Sequence, residues 1–440
     1  MPRFLPPMAL AVACVLAPAV ATAAEPGVLF KNVMVFDGKS DKLTGPTSVL
    51  VVGNKIEKIG PAVTAPDKAT VIDGGGRTLM PGLIDAHVHL GMAAIPNTTL
   101  LTADAGYIHL HAGKEAERTL RRGFTSVRDL AGPVFGLKRA IDEGLILGPR
   151  VYPSGAMISQ TSGHGDFRSP YDVPKRGLSR AEELGAGIVA DGPAAVTKAT
   201  REQLLLGATQ IKLAAGGGVS SNYDPLDVTQ FGEDELKAAV KAADDWGTYV
   251  TVHAYTPKAV RRAVEAGVKC VEHGQLMDEA TVKLMAEKGV WLSTQPFLDD
   301  EDAIPQKDPV NRKKQLQMTE GTDISIRLAR KYKLKIAFGT DALFDADHSA
   351  KQGKQLAKMS RWFEPHEVLR MATSENAALL AMSGERNPYP GKLGVVEEKA
   401  LADLLLIDGD PLSDLKLFQD PEKKLLVIMK DGKVVKNAVK

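Results

Sequence analysis

Nine histidines are spread unevenly along this chain of 440 residues. Five of them, His87, His89, His164, His253 and His273, stand at or just beyond the ends of short apolar runs that read as β-strands, and Asp341 ends another such run in FGTDA. His87 and His89 are two residues apart, so on a strand they face the same way and can reach one metal ion. One such pair is weak evidence by itself. Joined by His253, His273 and Asp341 at other strand ends, it becomes a donor set of imidazoles and a carboxylate. That set suits Zn²⁺ better than Mg²⁺ or Ca²⁺, with iron, manganese or cobalt as substitutes. Lys212, in QIKLAA, ends a further strand between apolar neighbours. An ammonium is costly to bury there, so Lys212 must snorkel to the rim, pair with a carboxylate or serve the chemistry.

The elements that would bring these residues together repeat regularly. Eight candidate strands run LIDAHV from 83, FTSVRDL from 124, RVYPSGAMI from 150, QIKLAA from 210, YVTVHA from 249, KCVEHG from 269, VWLST from 290 and KIAFGT from 335. Stretches rich in Ala, Leu, Lys and Glu lie between them, the rhythm of a parallel βα sheet. Eight strands close a (β/α)₈ barrel, whose C-terminal strand ends converge on one mouth. The long segment carrying TSGHGD and SPYDVP is then a loop at that mouth. Both chain ends are different in texture, with short strands and the turn signals Asp37-Gly38, Gly53-Asn54 and Asp431-Gly432. The expected organisation is therefore α/β: a TIM barrel over 81–385, with a small composite β-sandwich built from 24–80 and 386–440.

Composition narrows the partners. Lys and Arg number 55 against 54 Asp and Glu, which gives no basic surface for nucleic acid or an anionic membrane. Residues 1–23 combine Arg3, an apolar run and the site Ala21-Thr22-Ala23, the pattern of a secretory signal peptide, which predicts a periplasmic or secreted protein. Its removal leaves Cys270 as the single cysteine, so no intramolecular disulfide is expected.

The run LMPGLIDAHVHL, Lys212, His253 in TVHAY, His273 in VEHG, Asp341 in GTDA and TSVRD at 125–129 together resemble the amidohydrolase superfamily in its binuclear form. GKLGVVEEKALADLLLID resembles the β-sandwich segment that follows those barrels. Within the superfamily, TSGHGD, HAYTP and CVEHGQ are similar to the branch of imidazolonepropionase-like enzymes, Xaa-Arg and Xaa-Pro dipeptidases and ochratoxin-hydrolysing amidases, with the bacterial ochratoxin-degrading amidohydrolases the best likeness. The resemblance implies two divalent ions, Zn²⁺ by preference: His87, His89 and Asp341 on the first, His253 and His273 on the second, and an N6-carboxylated Lys212 bridging them. It further implies attack by a hydroxide shared between the ions, with Asp341 moving the proton and His164 steadying the oxyanion. Expected substrates are N-acyl amino acids, dipeptides and ochratoxin A, split to ochratoxin alpha and phenylalanine; cyclic-amide hydrolysis of the imidazolonepropionase or dihydropyrimidinase type is the alternative. A homo-oligomer such as an octamer is also implied.

Other polar residues read more simply. Tyr255, two residues beyond His253, either binds a substrate carboxylate, as the dipeptidase branch suggests, or packs. His109 and His111 belong to a helix surface, His366 to a helix start, and His348 can line the mouth. Arg128 and Asp129 read as a structural pair at the rim. Gly216-Gly217-Gly218 lacks the ending of a phosphate loop and reads as a tight turn beside Lys212.

Overall fold

In the computed structural model, described for residues 27–174 and 177–439, the central chain closes into the expected (β/α)₈ barrel. The signal peptide expected over 1–23 lies outside the described residues. The barrel strands are Leu83–Val88, Phe124–Asp129, Arg150–Pro153 with Met157–Ser159, Ile211–Ala214, Val250–Ala254, Cys270–His273, Trp291–Thr294 and Ile336–Phe338. All neighbouring pairs recorded among them are parallel. The third strand is interrupted at 154–156, and a short strand unforeseen in the sequence, Gly187–Val189, pairs with its second half.

The surrounding helices start and stop where the side chains dictate. Before Glu279–Lys288, Asp278 accepts from the Thr281 N–H, and Gly289 ends the helix in the left-handed conformation that costs glycine least. Before Ala105–Arg121, Asp104 accepts from Gly106 and Tyr107. No helix among the described residues is long and apolar enough to cross a membrane.

The two chain ends form one hydrogen-bonded sheet of eight strands. Thr78–Pro81 from the first end pairs antiparallel with Leu404–Ile407 from the second. This strand explains its own composition. Leu404 and Leu406 enter the core of the sheet with Phe30, Ile56 and Val427, whereas Leu405 and Ile407 enter the barrel core. A strand covered on both faces is apolar at every position, which is why LLLI shows no alternation. Arg150 fastens the two units: its Nε donates to Asp403 Oδ2 at 2.8 Å and its Nη2 to Asp431 Oδ1 at 2.6 Å.

No ladder joins the first and last barrel strands among the described residues. A side chain closes that seam. Buried Asn376 donates from Nδ2 to the carbonyls of Ile84 and Phe338, at 2.7 and 2.8 Å, and accepts from the Phe338 N–H at 3.1 Å. Nearer the mouth the Asp341 N–H donates to the His87 carbonyl at 2.8 Å.

Candidate metal centre and active site

His87 and His253 stand one residue before the ends of the first and fifth strands and His273 ends the sixth, while His89 and Asp341 stand just past the first and eighth. His273 and Asp341 hold positive φ angles of 77° and 49°, conformations that cost a residue with a Cβ and that collect at functional sites. His87 Nε2 and His89 Nε2 lie 3.2 Å apart, and Asp341 Oδ1 lies 3.3 and 3.0 Å from them. These three donors sit within 4.8 Å of one another, and Asp341 Oδ1 is buried without a hydrogen-bond partner. Two imidazole nitrogens and an unanswered carboxylate oxygen facing one point fit a divalent cation.

The other expected ligands adjoin this set without joining its cluster. The His273 ring is 5.1 Å from His87 and 4.6 Å from His253 between centroids. His273 Nδ1 faces Gln295 Oε1 at 2.8 Å, and His253 Nε2 faces the Gly217 carbonyl at 3.0 Å. Lys212 is 2% exposed, and burial pushes its ammonium down to about 8. A lysine so placed is partly neutral near pH 8, the form whose lone pair can take up CO₂. Burial likewise holds His87 near 4 and His273 near 3, leaving neutral rings with lone pairs available to a metal. Burial opposes ionisation of Asp341, but the surrounding His87, His89 and His273 outweigh it and keep the carboxyl far below its usual range.

His164 arrives from the long loop after the third strand and stacks on His253, centroids 4.0 Å apart and planes 17° from parallel. Its Nδ1 meets Ser221 Oγ at 2.8 Å. Tyr255, 4% exposed, packs edge-on to His253 at 4.9 Å, and its hydroxyl has no hydrogen-bond partner among the described residues. His164, Lys212, Tyr255 and Asp341 all line a cavity of about 580 Å³. His348 does so too, whereas His109 is exposed and the His111 ring lies tilted against Tyr107. The cavity lining is mixed, with the apolar Met92, Met157, Phe167, Phe297, Met318 and Phe344 beside polar groups such as Lys307, Asp308 and Asn311.

Arg128 and Asp129 do not pair with each other. Neighbours on a strand point to opposite sides. Arg128 is wholly buried with Nη2 2.7 Å from Glu272 Oε1, while Asp129 Oδ2 accepts from the Leu90 N–H. Glu272 is the functional neighbour that sequence reasoning missed, although it stands in the quoted VEHG. Its second oxygen, Oε2, accepts from His87 Nδ1 at 2.9 Å, which aims Nε2 at the donor cluster. Burial resists its ionisation, but Arg128 and His87 hold it well below the ordinary glutamate range. Its signal was a carboxylate one residue before a strand-end histidine. The glycines after Lys212 serve close approach: a Cβ on Gly218 would lie 1.8 Å from His164 Nδ1.

The Amidohydrolase family profile matches residues 78–435. Ochratoxinase from Aspergillus niger is 33% identical over 374 residues, covering 81% of this chain and 75% of that protein. A prolidase crystallised with N-methylphosphonate-L-proline is 34% identical with a TM-score of 0.86, over 93% of this chain and 100% of that one. A Xaa-Pro dipeptidase with methionine in its active site is 30% identical with a TM-score of 0.82, again over 93% and 100%.

Proposed function

The chain belongs to the amidohydrolase family, hydrolytic enzymes of amide and peptide bonds, and from that premise we propose that it removes the C-terminal residue from N-acyl amino acids and dipeptides, ochratoxin A included. The observation that supports this most is the juxtaposition of the His87, His89 and Asp341 donors with an unpartnered Tyr255 hydroxyl, in one cavity that also presents methionines and phenylalanines.

His87, His89 and Asp341 would hold one divalent ion, His253 and His273 a second, with Lys212 between them as its N6-carboxylated anion. Zn²⁺ suits the donors best. Such ions, when bound, acidify water toward a pKa of about 7 and polarise a carbonyl. Asp341 takes the proton of the attacking water on its carboxylate and returns it to the departing amine. His164 donates to the carbonyl oxygen as charge gathers there. The Tyr255 hydroxyl donates to the carboxylate of the leaving amino acid, and the methionines and phenylalanines enclose the acyl or aryl half, where a buried ring is worth about 1.5 to 3 kcal/mol. The signal-peptide pattern supports a periplasmic or secreted enzyme, and the family resemblance supports a homo-oligomer such as an octamer.

The test is a set of aryl and alkyl N-acyl amino acids and dipeptides, each with a free and an esterified carboxylate, alongside elemental analysis. Two ions per chain, activity lost on chelation, and a strong preference for the free acid are expected. Equal kcat/KM for both forms would move the reading to cyclic amides, and one ion at full activity would end the binuclear scheme.

A further inference from the structure

Five residues that no part of the metal cluster requires, Gly218, Ser221, Asp224, Gln230 and Lys314, hold the His164 ring, its backbone and the loop beside it. On one side the ring stacks on His253; on another, Gly218 leaves only the space that its missing Cβ would fill. Ser221 Oγ lies 2.8 Å from Nδ1 and has no other side-chain or backbone partner among the described residues. The loop that carries Gly218 and Ser221 is tied down from outside the mouth by Lys314, on the helix Pro309–Lys331. Lys314 is 6% exposed and forms no ion pair within 4 Å among the described residues. Its Nζ donates instead to three carbonyls of that loop, those of Gly218, Ser221 and Asp224, at 3.3, 2.8 and 2.9 Å. The Asp224 carboxylate accepts from the Gly218 N–H and from Gln230 Nε2, and Gln230 Oε1 accepts from the His164 N–H. Backbone and ring are thus fixed by one connected set of bonds.

That set bears on which ring nitrogen carries the proton, because a serine hydroxyl at 2.8 Å can either donate to Nδ1 or accept from it. Asp224 Oδ2 stands 3.8 Å from Nδ1, beyond hydrogen-bond reach, so the near partner of Nδ1 is the serine hydroxyl. Nδ1 is the one acceptor recorded for the Ser221 proton among the described residues, and a serine that donates there makes Nδ1 the acceptor. A neutral imidazole whose Nδ1 accepts bears its proton on Nε2. We propose that Ser221 is a positioning residue that fixes the His164 proton on Nε2 by donating to Nδ1, and that Lys314 holds the loop from which it does so. The inference rests on the reading above, in which His164 donates to the developing oxyanion, because a ring protonated on Nδ1 instead would present a lone pair to that oxygen.

The experiment uses the full metal-loaded enzyme with N-benzoyl-L-phenylalanine as substrate, and ¹⁵N-histidine-labelled protein for the ring itself. Ser221→Ala is expected to lower kcat about 10- to 100-fold with KM and metal content unchanged, the usual cost of losing an outer hydrogen-bond partner. Ser221→Thr, which keeps the hydroxyl, should retain most of the rate. His164→Ala should lose about 10²- to 10³-fold, and adding Ser221→Ala to it should cost nothing more. Lys314→Met should likewise be silent once His164 is gone. The ¹⁵N shifts, assigned by the signals lost in His164→Ala, should show Nδ1 bare and Nε2 protonated, with that pattern lost in Ser221→Ala. A wild-type ring protonated on Nδ1, or a Ser221→Ala penalty that persists in full on the His164→Ala background, would overturn the proposal. His164→Ala at full rate would instead remove His164 from the reaction, and the nitrogen shifts would still report where its proton sits whether or not the probe is cleaved.

Discussion

The mouth of the barrel and the joint between barrel and sheet both bury charge, and they differ in how fully that charge is answered. At the joint, Arg150 donates to Asp403 and Asp431, and Asp403 also accepts from the Asp431 N–H. At the mouth, Asp341 Oδ1 and Asp224 Oδ1 have no hydrogen-bond partner. A saturated cluster holds two units in register; an unsaturated one is complementary to something it must still receive. Glu272 stands between these cases, with one oxygen on buried Arg128 and the other on His87.

The largest expected effect falls on the mouth. Asp341→Asn keeps an oxygen ligand but cannot take a proton, so kcat should fall by about 10² to 10⁴ while the melting temperature moves little. A large thermal loss without a kinetic one would reverse the assignment of the two clusters. Arg150→Met should behave in the opposite manner, because it leaves Asp403 buried without its cation: about 3 kcal/mol of stability lost in denaturant melts, with kcat per folded molecule unchanged. Glu272→Gln should show both behaviours. Metal affinity measured by chelator competition should drop about 10- to 100-fold, and the melting temperature should fall as Arg128 loses its counter-charge. A purely thermal effect there would make Glu272 part of the frame alone. Smallest is Tyr255→Phe, which removes a single hydrogen bond to a charged group. It should raise KM about tenfold with kcat preserved, and the penalty should vanish for esterified substrates.

The parts of this molecule legible in the sequence are those with a period or a local pattern. Strand ends carrying His87, His89, His253, His273 and Asp341 announce themselves because apolar runs stop at them, and the eight strands follow from the same alternation of runs and helices. The break at 154–156 and the strand Gly187–Val189 have no such signature, since three residues are too few to establish one. Arg128 and Asp129 are misread as a pair because adjacency in sequence means opposition on a strand. Ser221 and Lys314 lie 93 positions apart and meet only through a loop and a helix that pack over the mouth. Nothing local marks that contact except Gly218, whose lack of a side chain is explicable only with the His164 ring in place.

The amide of Asn376 has a consequence for how the chain is made. It spans the first and last barrel strands although it lies 292 positions after Ile84. During synthesis the strand from Leu83 therefore has one unmatched edge until nearly the whole barrel and its last helices have emerged. An incomplete chain is an open parallel sheet with two sticky borders, the kind of surface that captures neighbours. Closure joins residues far apart in the chain, so the catalytic mouth is complete only once Asp341 can meet His87 and His89.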